Sequence, residues 1–308
     1  MRKLGAYIGN IQHFNMHDGP GLRTTIFFQG CTLRCAWCQN PELVSREPVM
    51  MYNRYSCVHC NACVKSCNRS LLSASDILPT NQGEICDSCR SCVEECYFQA
   101  RTFSSQWMTL DEVFRESMQD EPFYVGGGIT LSGGEPLLNI EFSKSLAKML
   151  NKAGQNVIVE TSGFVPYENI LKIAPYVSIF YYDLKLINVN LRFKYLGTRD
   201  SLMLDNLQRL AKTRAKIVLR VPVIPHINDT VEEFNNILNF ATKLNHVREI
   251  HILPYHTLSI GKYEMIGKKY PLENWSEINK YRIEMLSKIA CNRGFFVNVG
   301  GTGCAIQE

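Results

Sequence analysis

The chain reads as an α/β protein, a partial (β/α)6 barrel that is TIM-like but open on one side, interrupted by a cysteine-rich insertion. Three observations carry that reading. Beyond about residue 110, short apolar runs alternate with segments of helical period, the pattern of βα units around a parallel sheet. About six such strands are too few to close an eight-stranded barrel. Finally, eight of the thirteen cysteines fall within residues 57–96, where the barrel pattern stops.

Taken in order, Met1-Arg-Lys-Leu-Gly5 leads into a polar stretch rather than the apolar core of a signal peptide, and no run of 18 apolar residues follows. A cytoplasmic protein with no membrane span is expected. From Ile8 to Phe28 the chain reads as one strand with a turn-rich lead, in which His17-Asp-Gly-Pro-Gly21 is strong turn chemistry. Asp18 suits an Asx turn there. The apolar run Thr24-Thr-Ile-Phe-Phe28 then passes through Gln29-Gly30 into Cys31-Thr-Leu-Arg-Cys35-Ala-Trp-Cys38.

Thiolates select zinc or iron–sulfur clusters among the common metals. A structural zinc site closes its tetrahedron with a fourth ligand, for which His13 and His17 are the candidates near by. Three thiolates on a four-iron cube instead leave one iron open to bind and activate a ligand. Cys31, Cys35 and Cys38 are therefore read as a reaction centre.

After Pro41 the pattern breaks. Cys57-x2-Cys60-x2-Cys63-x3-Cys67 is repeated as Cys86-x2-Cys89-x2-Cys92-x3-Cys96, two copies of the bacterial ferredoxin run, in which the fourth cysteine ligates the other cluster. Cys57, Cys60, Cys63 and Cys96 are assigned to one [4Fe-4S] cube and Cys67, Cys86, Cys89 and Cys92 to a second. Asn68 and Tyr97 stand where proline commonly follows the run. Zinc ribbons would pair the same thiols as two CxxC knuckles per site. The expected division is a ferredoxin-like insertion over 53–97 and a barrel formed by 1–52 and 98–308.

The barrel strands are read as Gly128–Leu131, Asn156–Glu160, Val177–Asp183, Lys216–Val221, Glu249–Leu253 and Phe295–Val299, with helical segments near 110–119, 140–153, 201–213, 230–244 and 273–290. Several strands end in a polar or glycine-rich signature: Ser132-Gly-Gly-Glu135, Glu160-Thr-Ser-Gly163, Asp183-Leu-Lys185, Arg220 and Pro254-Tyr-His256. All would meet at the C-terminal rim, where barrels of this kind place their sites. Cys291 reads as a small core residue of the last helix, and Cys304 as a free thiol in a flexible tail.

With 308 residues the chain can bury a large core, and two domains are the ceiling. The formal charge of +4 counts every cysteine as neutral. Eleven ligating thiolates against three cationic clusters would bring it near zero, so the basic balance gives no reason to expect nucleic acid.

The three-thiol run, Trp37 before its last cysteine and Ser132-Gly-Gly-Glu-Pro136 together resemble the radical S-adenosylmethionine (SAM) superfamily. Within it, Asp18-Gly-Pro-Gly21 and Leu253-Pro-Tyr-His256 resemble the activating enzymes of glycyl radical enzymes, over about Ile8 to Tyr270. The resemblance implies SAM chelating the open iron, with Gly133, Gly134 and Glu135 at its amino group and Trp37 near its adenine. It also implies Gln39, Glu160, Asp183, Leu184, Lys185, Arg220 and His256 around the SAM and peptide pocket, and the turn at Asp18 holding the partner's glycine loop. Short members hold a monovalent cation between acidic residues and the SAM carboxylate; this chain has Glu160 where those have Asp.

The implied reaction is reductive cleavage of SAM, with an electron from flavodoxin or ferredoxin, and removal of hydrogen from a glycine in the C-terminal loop of a glycyl radical enzyme. The two-cluster insertion resembles activators of enzymes acting on glycerol, choline, hydroxyproline, sulfonates or arylacetates. A monomer is expected. The competing readings are a radical SAM enzyme acting on a small molecule and an iron–sulfur protein that only relays electrons.

Overall fold

A computed structural model of the chain describes residues 3–72 and 86–300, so the expectation for Cys304 lies outside the described residues. Its strands are β1 (Gly5–Asn15), β2 (Arg23–Phe28), β3 (Met50–Tyr52), β4 (Arg101–Phe103), β5 (Gln106–Thr109), β6 (Gly128–Gly133), β7 (Asn156–Thr161), β8 (Ile179–Asp183), β9 (Ile217–Val223), β10 (Glu249–Pro254) and β11 (Phe296–Val299). Nine form one sheet in the order β11-β10-β9-β8-β7-β6-β2-β1-β5, and β3 pairs with β4 alone. From β2 to β11 the pairings are parallel, which makes seven parallel strands rather than six. The sheet ends on β5 and β11 and so stays open.

Ile8 to Phe28 is two antiparallel strands, not one, because the turn at 16–22 reverses the chain and sets Ile8 beside Phe28. Helices Leu110–Ser117, Ile140–Lys152, Leu202–Leu210 and Val231–Ala241 follow the helical period closely. Tyr167–Ile173, Val189–Leu196 and Ile260–Met265 are further helices, beyond those the periodic segments predict. The last helix starts at Lys280 rather than 273: Asn279 caps it by accepting from the backbone N–H of Tyr281 at 2.8 Å, leaving 275–279 as non-helical chain. On that helix Ile283, Leu286, Ser287 and Ala290 face the core. Cys291, one position off this face, is exposed rather than buried.

Side chains of a strand alternate between faces, and the two faces of this sheet have different fates. Val157 and Val159, Phe180 and Tyr182, Leu219 and Val221, and Ile250 and Ile252 point outward under the helices into the main core. Each such burial contributes about 1.5–3 kcal/mol. Ile158, Ile179, Tyr181 and Val218 point inward and form a separate cluster. The loop between β1 and β2 folds against that cluster, where a Cβ on Gly19, at φ +141°, would lie 2.5 Å from Ile158 Cδ1. Arg23, fully buried, fastens it by donating to Thr130 Oγ1, to the Ile129 carbonyl at 2.8 Å and to the Pro20 carbonyl at 3.2 Å. The lumen is thus closed at this end.

β3 and β4 hold the two ends of the insertion together, pairing Met50 with Phe103 and Tyr52 with Arg101. Its described helices, Ala62–Ser66 and Ser91–Glu94, are single turns, and its core is Met50, Leu72 and Cys92. Among the described residues, no helix is long and apolar enough to cross a membrane.

Candidate active site

The loop after β2 is pinned on both sides. Gly30 N–H donates to the Leu43 carbonyl at 2.8 Å and Cys31 N–H to Val44 at 3.1 Å, while Arg34 and Ala36 donate to the carbonyls of Leu196 and Tyr195 at 3.1 and 2.9 Å. Gln29 Nε2 lies within 3.1 Å of the carbonyls of Glu42, Ser45 and Glu47, and its Oε1 accepts from Ser104 Oγ. Lys262 Nζ joins Asn40 Oδ1 at 2.7 Å to Glu42 Oε1 at 2.8 Å. Ten backbone and side-chain contacts therefore fix a segment that has no regular structure of its own.

This loop forms one wall of a cavity of about 590 Å3 at the C-terminal rim. Cys31, Cys35, Cys38, Trp37 and Gln39 line it together with Gly133, Gly134, Glu160, Asp183, Lys185, Arg220 and His256. Burial pushes the thiols of Cys31 and Cys35 up to about 12 and that of Cys38 up to about 11. Burial alone would lower the Lys185 ammonium, but Asp183, at 2.8 Å, and the neighbouring thiols hold it above its ordinary range. Arg220 donates to Glu160 Oε1, and Ser132 Oγ donates to Glu160 Oε2 at 2.5 Å. His256 Nδ1 and Arg220 Nε are buried with no protein partner.

Gly133 and Gly134 serve packing as well as the cavity. A Cβ at Gly133, φ +105°, would meet Phe28 N at 2.3 Å, and one at Gly134 would meet the Gly30 carbonyl at 2.2 Å. Only glycine lets β6 end against the thiol loop.

Three expected contacts fall elsewhere. Glu135 is 1 % exposed and absent from the cavity wall, its oxygens accepting from Thr161 Oγ1, from Ser162 N and Oγ and from Leu137 N. Burial raises its carboxyl although those hydrogen bonds pull the other way. The Leu184 side chain is core, because its neighbours Asp183 and Lys185 take the inward positions. Asp18 Oδ2 accepts from Asn15 Nδ2 at 2.6 Å and Thr25 Oγ1 at 3.0 Å, at the closed end of the lumen rather than on the cavity wall. Trp37 is 5 % exposed, in the core beside Tyr195 while lining the cavity.

His13 pairs with Asp120 at 2.6 Å, and neither it nor His17 lines the cavity, so neither completes a zinc site on the three thiols. Among the described residues, no three His, Cys, Asp or Glu side chains converge as the ligands of a single metal ion do. A four-iron cube spreads its ligands over separate corners. In the insertion, Cys67, Cys86, Cys89 and Cys92 line one small cavity of about 20 Å3. Cys57 and Cys63 lie near Tyr52, whose hydroxyl bonds Cys57 and holds that thiol below its ordinary range.

Residues 88–241 match the description "Radical SAM superfamily" and residues 17–71 match "4Fe-4S single cluster domain". The indoleacetate decarboxylase activating enzyme of Tractidigestivibacter scatoligenes is 35% identical over 288 residues, 88% of this chain and 90% of that protein. The choline trimethylamine-lyase activating enzyme of Oleidesulfovibrio alaskensis is also 35% identical, over 298 residues, 94% of this chain and 96% of that protein. The chain belongs to the radical SAM activating enzymes of glycyl radical enzymes. Its activity is accordingly reductive cleavage of SAM, with iron–sulfur clusters as cofactors, to place a radical on a partner glycine. The fold agrees with the crystal structure of Streptococcus suis SuiB bound to precursor peptide SuiA, at a TM-score of 0.53 and 14% identity over 89% of this chain and 47% of that one.

The residues fit the cluster and SAM: three thiols line one wall, and unpartnered buried nitrogens of Arg220 and His256 lie in the same cavity. The two carboxylates implied for a monovalent cation each face a fixed cation instead, Glu160 pairing with Arg220 and Asp183 with Lys185. Sequence reasoning missed Gln29, Lys262, Tyr195, Leu196 and Ser132. Ser132 stood within the Gly-Gly-Glu signature, but the other four act through partners distant in the chain.

Proposed function

We propose that Cys31, Cys35 and Cys38 hold the cluster that cleaves SAM, and that eight insertion thiols hold two more. A four-iron cluster on the three thiols would supply the electron that breaks the sulfur–C5′ bond of SAM, giving methionine and a 5′-deoxyadenosyl radical that takes an α-hydrogen from the partner's glycine. The observation that carries this reading is the single cavity uniting the three thiols with Gly133, Gly134, Glu160, Asp183, Lys185, Arg220 and His256.

The chain's own residues bind and orient. Lys185 keeps a positive charge beside the thiols, the backbone of Gly133 and Gly134 admits the SAM amino group, and the unpartnered nitrogens of Arg220 and His256 meet polar groups of SAM or the peptide. Glu135 positions Thr161 and Ser162 at the rim. Glycine suits the reaction because no side chain blocks its α-hydrogen and the flanking amides delocalise the radical.

The paired strands β3 and β4 support a module over 53–97 set apart from a barrel of 1–52 and 98–308. Flavodoxin or ferredoxin in the cytoplasm supplies the electron, and the chain works as a monomer. The names of the two relatives favour a partner that is a lyase or decarboxylase. Incubating the reconstituted protein with reductant, SAM and candidate partners tests the reading: 5′-deoxyadenosine with an EPR doublet on the partner supports it. Deoxyadenosine without that doublet on any candidate would favour a small-molecule substrate.

A further inference from the structure

The charges of the cavity are arranged across three strands. Arg220 on β9 stands in register with Asp183 on β8, yet its guanidinium passes 5.5 Å from the Tyr181 ring centroid to reach Glu160 on β7. Ser132 takes the other Glu160 oxygen, and Lys185 takes Asp183. All four charged side chains are largely buried, between 14% and 26% exposed, where ion pairs are only weakly screened by salt. Two carboxylates thus face two cations built into the chain.

We infer that Arg220 and Lys185 do here what a dissolved monovalent cation would otherwise do, and that this chain binds and cleaves SAM without one. The inference rests on the functional reading above. SAM brings one carboxylate together with an ammonium and a sulfonium, so a further ion would add positive charge where Glu160 and Asp183 each already face a fixed cation. The SAM carboxylate instead finds a donor in Arg220 Nε, which no protein atom uses. Glutamate rather than aspartate at 160 supplies the reach: its extra methylene carries the carboxylate to Ser132 and Arg220 together.

The test uses the reconstituted enzyme with all its clusters in buffers of equal ionic strength, containing potassium, sodium or tetramethylammonium as the only monovalent cation. SAM binding is followed by the change in the reduced cluster's EPR signal, and cleavage by 5′-deoxyadenosine. For the parent, the SAM dissociation constant should vary by less than about two-fold among the three salts, against at least about ten-fold for a required ion. Arg220→Met should acquire the requirement, binding SAM at least about ten-fold more tightly in potassium or sodium than in tetramethylammonium. A parent that loses SAM affinity ten-fold in tetramethylammonium overturns the inference and leaves the functional reading intact. An Arg220→Met variant that folds and stays indifferent to the salt overturns the part given to Arg220. Absence of any SAM response in every salt overturns the functional reading itself.

Discussion

The barrel and the insertion both present cysteines, but they hold them in opposite ways. In the barrel, three thiols sit on a loop fixed by backbone bonds to Leu43, Val44, Tyr195 and Leu196, against a core that runs through every helix. In the insertion, Cys60 and Cys89 are exposed, the helices are single turns and the described buried core is three residues. A core of that size cannot offset the conformational entropy of the residues around it. The barrel therefore shapes its thiol site without help from a metal, whereas on the functional reading above the insertion would depend on its clusters for its shape.

Removing metal should separate the two regions most visibly. Anaerobic chelation is expected to leave the barrel folded and the insertion open, because binding energy in small metal modules is folding energy. Limited proteolysis should then cut first within 53–97, and uniform digestion of both regions would erase the distinction. Next in size, Cys35→Ala should reduce deoxyadenosine formation at least about 1,000-fold, while thermal unfolding of the barrel stays close to the parent's. Cys60→Ala should instead lose iron from the insertion and slow electron supply or loosen the module, with the SAM-sensitive EPR signal retained.

Smaller effects are expected in the frame that holds the site. Glu135→Ala strands Thr161, Ser162 and Leu137 donors in a buried place, and should destabilise the barrel by about 2–4 kcal/mol in denaturant titration. Lys262→Ala removes the partner of Glu42, itself 7 % exposed with a second oxygen that has no protein donor, and should cost about 1 kcal/mol. A Lys262 effect larger than that of Glu135 would mean that the thiol loop, rather than the strand end, is the weaker part of the frame.

What the sequence shows and hides follows from the range of each interaction. The cysteine spacings and the polar strand ends are local, so the barrel's rim, the grouping of Cys67, Cys86, Cys89 and Cys92 and most of the cavity wall are legible from one chain. The hairpin of β1 and β2 is not, because only the Asp18 turn distinguishes it from one long strand. Glu135 looks like a ligand contact until Thr161 and Ser162, more than twenty residues away, are seen to occupy it. Gln29, Lys262 and the Tyr195–Leu196 carbonyls hold the thiol loop through partners no local pattern announces. Glu160 is legible as an acid at a strand end, but its engagement by Arg220 needs two strands brought beside β7.

The measurement that bears most directly on this division of labour is iron and sulfide analysis of the anaerobically reconstituted protein, with EPR of the reduced sample before and after SAM. About twelve irons, with one cluster signal that changes on adding SAM and others that do not, is the predicted result. Zinc in place of iron, or a spectrum indifferent to SAM, would contradict it and return Cys31, Cys35 and Cys38 to a structural role.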